Sequence, residues 1–349
     1  MAHAGEVTGA ASSGRWTRRG FLVSWGVVGI GATLFSACGP AVVPATPTSA
    51  LAPPTAAPAP TTGVAAAATT AGKPASAAPT PRDGGTFRFY IWTEDPPTLD
   101  PYVNILFRGQ EFAAFFYSRL LMSKKGPGIP AQAFIMEGDL AESWNISDDG
   151  LTYTFNMRPD AKWHNLPPMN GRPVTAQDVA WSFEHLMKVS PQKSAFEQVA
   201  AVTAPDARTV QFHMKDVYVP FEASLGAPLF WILPREVVEA DGDVSKHVVG
   251  SGPFIFDRYD TGISFTGKKN PNYHRKREPH VNEIVGLVIP DTSTQLAALR
   301  ARQLDFYQLL SQQDIEPLKR SNPEIQFVEW EIDAESAKRS RATVSRSRK

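Results

Sequence analysis

The chain has one cysteine, Cys38, in 349 residues. An intrachain disulfide is therefore excluded, and so are zinc sites built from paired cysteines. Motifs of the common enzyme classes are missing too. There is no His-Glu-x-x-His, no Gly-x-Ser-x-Gly and no Gly-Lys-Ser/Thr phosphate loop. The 7 histidines are scattered, and only His274 and His280 lie close in sequence. Charge of either sign is absent from Gly20 to Gly72, and the 35 Lys and Arg are matched by 35 Asp and Glu. A balanced chain has no general attraction for nucleic acid. These absences leave catalysis without a recognisable set of groups, and the expectation is a non-enzyme with no cofactor and no metal.

The N-terminus is an address. Thr17-Arg18-Arg19-Gly20-Phe21-Leu22 resembles a twin-arginine export signal, with Arg18 and Arg19 as its pair. The uncharged run that follows is short and broken by glycine, which suits a signal segment better than a membrane span. It ends at Phe35-Ser36-Ala37-Cys38-Gly39, which resembles a lipobox although Phe35 stands where Leu is usual. The expectation is cleavage before Cys38 and lipidation of its thiol; an incidental thiol in an uncleaved anchor is the alternative. Residues 39–82 are mostly Ala, Pro and Thr with no aromatic, a composition that cannot bury a core and suits a disordered tether.

Folded sequence begins after residue 82. Thr86–Trp92 alternates as a strand, and Pro96-Pro97-Thr98-Leu99-Asp100-Pro101 must leave the sheet. Phe112–Leu121 has an apolar helical face. Trp144 and Ile146 alternate before Asp149-Gly150, and Leu151, Tyr153, Phe155 and Met157 alternate after it, which predicts a hairpin. Trp163 and His164 then lead into a proline-rich loop. Thr175 and Asp178 have capping-box spacing, and Val179, Phe183, Leu186 and Met187 share one helical face. His185 lies off that face, with no second ligand at metal spacing. A second hairpin is expected over 202–214, and a short buried strand over Pro228–Pro234. Gly250-Ser251-Gly252-Pro253 opens a further hairpin. A strand at 283–289, a helix at 292–303 and a strand from Leu304 follow.

These motifs, in this order, resemble the family 5 extracytoplasmic solute-binding proteins of ABC importers, which take up oligopeptides, dipeptides or nickel. The segments carrying the resemblance are the loop at 96–101, the stretch Asp139–Val179, the Gly250–Phe254 turn, Asn270–His274 and the run from Glu283 to Asp305. The resemblance implies a mixed α/β fold of the class II periplasmic-binding-protein type. It implies no chemistry, a peptide or other small solute as ligand, permease subunits as partners, and a place outside the membrane. In such proteins the 96–101 loop sits at the cleft rim and the Gly250–Pro253 turn lies near the cleft. Thr98, Leu99, Asp100, Gly250, Ser251, Gly252 and Pro253 are therefore expected ligand contacts. Trp163 joins them as an aromatic wall, with core packing as its alternative role and a plain connector as the alternative for 96–101.

The expected organisation is a signal at 1–38, a linker at 39–82, lobe I at 83–282, an incomplete lobe II at 283–331 and a disordered basic tail at 332–349. The family's later Pro-Phe-Asp segment is missing, and the composition changes after Glu331. The expectation is a frameshift or early stop near Trp330, with a native basic tail as the alternative. A truncated remnant that binds no ligand, a single lobe that interacts with the permease, and a hydrolytic enzyme are the rival functions.

Overall fold

A computed structural model of the protein describes residues 81–126, 129, 135–330 and 341–346. The export-signal pair Arg18 and Arg19, the lipidation candidate Cys38 and nearly all of the linker lie outside the described residues. Along the described chain the elements are β1 (Thr86–Trp92), α1 (Phe107–Phe116), β2 (Leu121–Ser123), β3 (Met136–Gly138), β4 (Ala141–Ile146), β5 (Thr152–Met157) and α2 (Ala176–Val189). After a 3-10 turn come β6 (Val199–Thr203), β7 (Thr209–Met214), α3 (Phe221–Gly226), α4 (Arg235–Asp241), β8 (Phe254–Asp260) and β9 (Ser264–Lys269). Then follow β10 (Glu283–Val288), α5 (Thr292–Arg300), β11 (Phe306–Leu310), α6 (Gln312–Ser321), β12 (Ile325–Trp330) and β13 (Arg341–Arg346).

The main sheet runs β12-β13-β11-β1-β10-β9-β8. β1 lies between β10 and β11 and is parallel to both. The chain therefore leaves β10, crosses through α5 and returns as β11 on the far side of β1. Such a crossover needs a helix of connecting chain, which α5 supplies. The Asp305 carboxylate accepts the Arg88 N–H at 2.9 Å and the Asp305 N–H donates back to the Arg88 carbonyl at 2.8 Å, which pins the start of β11 to β1.

A second, antiparallel sheet runs β4-β5-β7-β6. Its first hairpin turns at Asp149-Gly150 as the sequence predicts, with Gly150 at φ +72°. The Thr175–Asp178 capping box also forms: the Thr175 N–H donates to Asp178 Oδ2 at 2.8 Å. It starts α2, whose Val179, Phe183 and Leu186 are buried. Phe183 meets Phe196, Phe212 and Phe230 edge to face. Each such pair adds about 0.5–1.5 kcal/mol beyond area burial. This aromatic core is continuous with the one under β1, where Phe89, Phe112, Phe116 and Phe265 pack. A smaller cluster around Leu299, Leu304 and Leu318 serves the α5–β12 region.

Four expectations change. The helix sought at 112–121 spans 107–116 instead. Residues beyond it are drawn off by long-range pairing, with Ser118 bridging Ile232 and Leu121 pairing with Gly138. Pro228–Pro234 is buried from Phe230 onward but forms only that one bridge among the described residues, since prolines bracket it and cannot donate to a ladder. The expected lobe boundary at 282/283 falls inside the main sheet, because β10 neighbours both β1 and β9; residues 283–330 extend this sheet. Finally, the tail at 332–349 is not disordered throughout: Arg341–Arg346 forms β13, antiparallel to β11 and β12. Two flanking strands offer backbone donors and acceptors, so pairing there requires no apolar period of the tail.

Candidate ligand-binding surface

β1 ends on Ile91 and Trp92, both buried, and then releases the exposed Thr93 and Glu94. Its carboxyl end opens where the chain crosses from one side of β1 to the other, the place at which open α/β sheets form their ligand crevices. A cavity of about 230 Å³ lies there, lined among others by Tyr90, Trp92, Asp95, Asn104, Phe107 and Arg108.

The loop forming its rim is pinned from within. Thr98 Oγ1 and Ser245 Oγ are 2.7 Å apart, and the Asp100 carboxylate accepts the Tyr102 N–H at 2.8 Å. Asn104 Nδ2 donates to the Thr98 carbonyl at 3.0 Å, and Gln110 Nε2 donates to the carbonyls of Pro101 and Asn104. Trp231 Nε1 in turn donates to Gln110 Oε1 at 2.7 Å. With its polar groups held inward, the loop turns apolar side chains outward: Val103, Leu106 and Phe107 are 51%, 66% and 65% exposed. Those values matter because neighbouring apolar residues so exposed mark an interaction surface.

The polar side of the cavity is ordered too. Arg108 Cζ lies 4.8 Å over the Tyr90 ring, and its Nη1 meets Glu111 Oε2 at 2.7 Å. Gln308 Nε2 donates to Glu111 Oε1 at 3.2 Å. Burial raises the Glu111 carboxyl above its usual range, against the pull of Arg108. Asp95 accepts from Tyr259 Oη at 2.5 Å and from the Gly262 N–H at 2.9 Å. Burial first, then the Asp95 hydrogen bond, pushes the Tyr259 phenol up.

The Gly250–Pro253 turn has a different setting. Gly250, Ser251 and Gly252 are buried beneath the end of α1. A Cβ on Gly250 would lie 1.9 Å from the Phe116 carbonyl oxygen, and one on Gly252 would lie 2.6 Å from Phe116 C. The Gly250 N–H donates to His164 Nδ1 at 3.1 Å, and His164 Nε2 lies 3.1 Å from the Gly252 carbonyl. Only the neutral Nε2–H tautomer satisfies both contacts. Burial agrees, pulling the imidazole down to about 4, with the Gly252 contact opposing. Asn270 Nδ2 donates to the same Gly252 carbonyl at 3.0 Å. Trp163 is 1% exposed; its Nε1 donates to Asp178 Oδ2 at 3.3 Å, and Arg172 Cζ lies 5.6 Å over its ring.

The eight residues expected at the cleft thus fall in two places. Thr98, Leu99 and Asp100 brace the rim loop from behind. Trp163 and Gly250–Pro253 sit in the core or at its edge, holding protein groups, except that Ser251 Oγ is buried without a partner. Asn104, Leu106, Phe107 and Arg108 were not anticipated. Arg108 and Glu111, three apart, were the one local signal that pointed to them. A larger, mainly apolar cavity of about 500 Å³ lies by Pro167, Val237, Val249 and Phe256. The β1 rim is the better candidate, since it combines a strand-end position, a placed cation and exposed apolar groups. Among the described residues no group of three or more His, Cys, Asp or Glu is arranged to hold a metal.

Comparison with known proteins decides the family. The model of bacterial extracellular solute-binding proteins, family 5 (middle region) matches residues 136–341. The chain belongs to this family. Its curated relatives include the probable D,D-dipeptide-binding periplasmic protein of Escherichia coli (strain K12), 30% identical over 65% of this chain and 44% of that protein. Heme-binding protein A of Haemophilus influenzae is 29% identical over 61% of this chain and 41% of that protein. Among solved structures, a periplasmic binding protein from Helicobacter pylori in complex with the peptide STSA superposes with a TM-score of 0.63 at 25% identity, covering 71% of this chain and 51% of that one. A binding protein from Agrobacterium tumefaciens R10 in complex with mannopinic acid gives 0.63 at 26%, covering 72% and 50%. This family 5 chain therefore spans less than half the length of those curated relatives. These relatives and neighbours are named as binding proteins, two of them periplasmic. Among the described residues no helix is long and apolar enough to cross a membrane.

Proposed function

We propose that this family 5 chain supplies the ligand-capturing wall of an ABC importer's solute-binding protein, with short peptides as the first ligand class and no catalysis. The observation that carries the proposal is the rim at the carboxyl end of β1. Exposed Leu106 and Phe107 offer apolar contact for a side chain. The exposed chain at Thr93 and Glu94, just past the end of β1, suits an extended peptide, whose main chain needs donors and acceptors. Relatives named for dipeptides and a neighbour holding the peptide STSA support that ligand class. Export through the Arg18-Arg19 signal, anchoring through a lipidated Cys38 and delivery to permease subunits complete the proposal.

The test is calorimetric titration of the purified chain with separate pools of di-, tri- and tetrapeptides and with mannopinic acid. Saturable binding of one peptide pool, with the peptide recovered intact, supports the proposal. Binding confined to mannopinic acid, or hydrolysis of the peptides, contradicts it. Radiolabelled palmitate incorporated into the wild-type chain and absent from Cys38→Ala is expected for the anchor; equal labelling of both removes it.

A further inference from the structure

Arg119 lies between α1 and β2, and among the described residues its guanidinium makes no ion pair. Guanidinium Nη1 donates to the Gly226 carbonyl at 2.8 Å, and Cζ lies 4.8 Å over the Trp231 ring. Nε is buried and makes no hydrogen bond. Among the described residues no carboxylate oxygen approaches the guanidinium within ion-pair distance. Asp139, the carboxylate whose charge acts on Arg119, is already engaged: Oδ1 faces His274 Nε2 at 2.8 Å, and Oδ2 accepts Arg119's own backbone N–H at 2.8 Å. Burial pulls Arg119 below its usual value and Asp139 opposes this, yet a guanidinium keeps its proton at any working pH. A half-buried cation met by one carbonyl and one ring face, beside a carboxylate already engaged elsewhere, leaves a place for a further counter-charge.

Beside it is a cavity of about 390 Å³, lined by Arg119, Ser123 and Lys125 together with Met122, Met136, Ala223, Gly226, Ala227 and Pro228. It shares no lining residue with the cavity at the end of β1. Apart from Arg119, Ser123 and Lys125, its walls are thioethers, methyls, a glycine and a proline ring, and thioether side chains adapt to varied apolar shapes. Its charged lining residues, Arg119 and Lys125, are both cationic and most of the remainder is apolar, which describes an amphipathic acid.

We propose that this cavity binds a small organic carboxylate, its head pairing with the Arg119 guanidinium and its apolar body lying against Met122, Met136 and Ala223. Such a ligand supplies the missing counter-charge and fills the apolar space at once. A free phosphate has no use for those walls, and an amine meets like charge.

Titration of the full chain with octanoate, octanol and octylamine tests this by calorimetry. Octanoate is expected to saturate, with octanol and octylamine weaker by about tenfold or more, the loss of one charge-assisted contact. Arg119→Gln is expected to weaken octanoate by a similar factor and leave octanol unchanged. Ala223→Leu, which keeps the cation and fills the cavity, is expected to weaken octanoate as well. Octanoate that fails to saturate at millimolar concentration, or binds no better than octanol, overturns the proposal, as does unchanged octanoate binding in Ala223→Leu. Circular dichroism and a melting curve establish that Arg119→Gln is folded. Should it not fold, the octanoate preference of the wild type and the Ala223→Leu titration decide alone.

Discussion

The Gly250–Pro253 turn and the rim at the end of β1 both carry family-like motifs, yet they stand in opposite relations to water. The turn is buried and nearly all of its polar groups are matched by His164, Asn270, Ser118 and Phe116. The rim hides its hydrogen bonds behind itself and turns Leu106 and Phe107 to solvent. A recurrent glycine motif can therefore mark a place where backbones must touch, whereas a ligand surface is marked by apolar groups the fold could have buried and did not. Mutations should separate the two: the turn should answer in stability and the rim in binding.

The largest effect is expected from Gly250→Ala. Its new methyl meets a backbone oxygen that cannot rotate away, so the loss should be about 3 kcal/mol or more, or no folded product. A urea titration measures it; a midpoint within error of wild type would end the close-packing argument.

His164 gives the next effect and one that depends on pH. Its folded value of about 4 lies below the ordinary 6.5. Between these values the unfolded chain binds the extra proton, so stability rises with pH there. The contribution is complete above about 6.5 and is lost as pH falls through about 4, on the order of 3 kcal/mol in all. In His164→Gln the unfolding free energy should fall less steeply between those two pH values than in wild type. Parallel curves would show that His164 is not buried as a neutral base.

Arg172 comes third. It meets Asp178 at 2.7 Å and Glu236 at 2.8 Å, tying the start of α2 to α4, but it and Glu236 are a third or more exposed. Solvent screening reduces such pairs, and Arg172→Ala should cost about 1–2 kcal/mol by thermal melting. The smallest stability effect belongs to the rim: Leu106→Ser with Phe107→Ser should stay within about 0.5 kcal/mol per site while weakening peptide binding. A large stability loss there would turn the rim into one more piece of core.

The contrast also explains what was legible in the sequence. Local rules found the hairpin at Asp149-Gly150 and the capping box at Thr175, because turn and cap chemistry is written within four residues. The Gly250–Pro253 turn was visible as a motif, but its burial was not, since Phe116 and His164 reach it from far away in the chain. The start of α1 carries no local signal, because Leu106 offers no side-chain cap and Gly109 is a weak helix former even though the helix runs through it, while Tyr117–Leu121 looks helical until Ile232 and Gly138 claim it. β13 carries no apolar stripe strong enough to announce a strand; β11 and β12 provide the reason for it. The rim was hardest to foresee, because an exposed Leu-Phe pair reads as core until the fold shows it facing out.

Hydrogen exchange with and without the binding peptide pool tests the central claim most directly. The account predicts new protection at residues 93–97 and 103–109, with 250–253 already protected and unchanged. Protection gained at 250–253 with none at the β1 rim would contradict it.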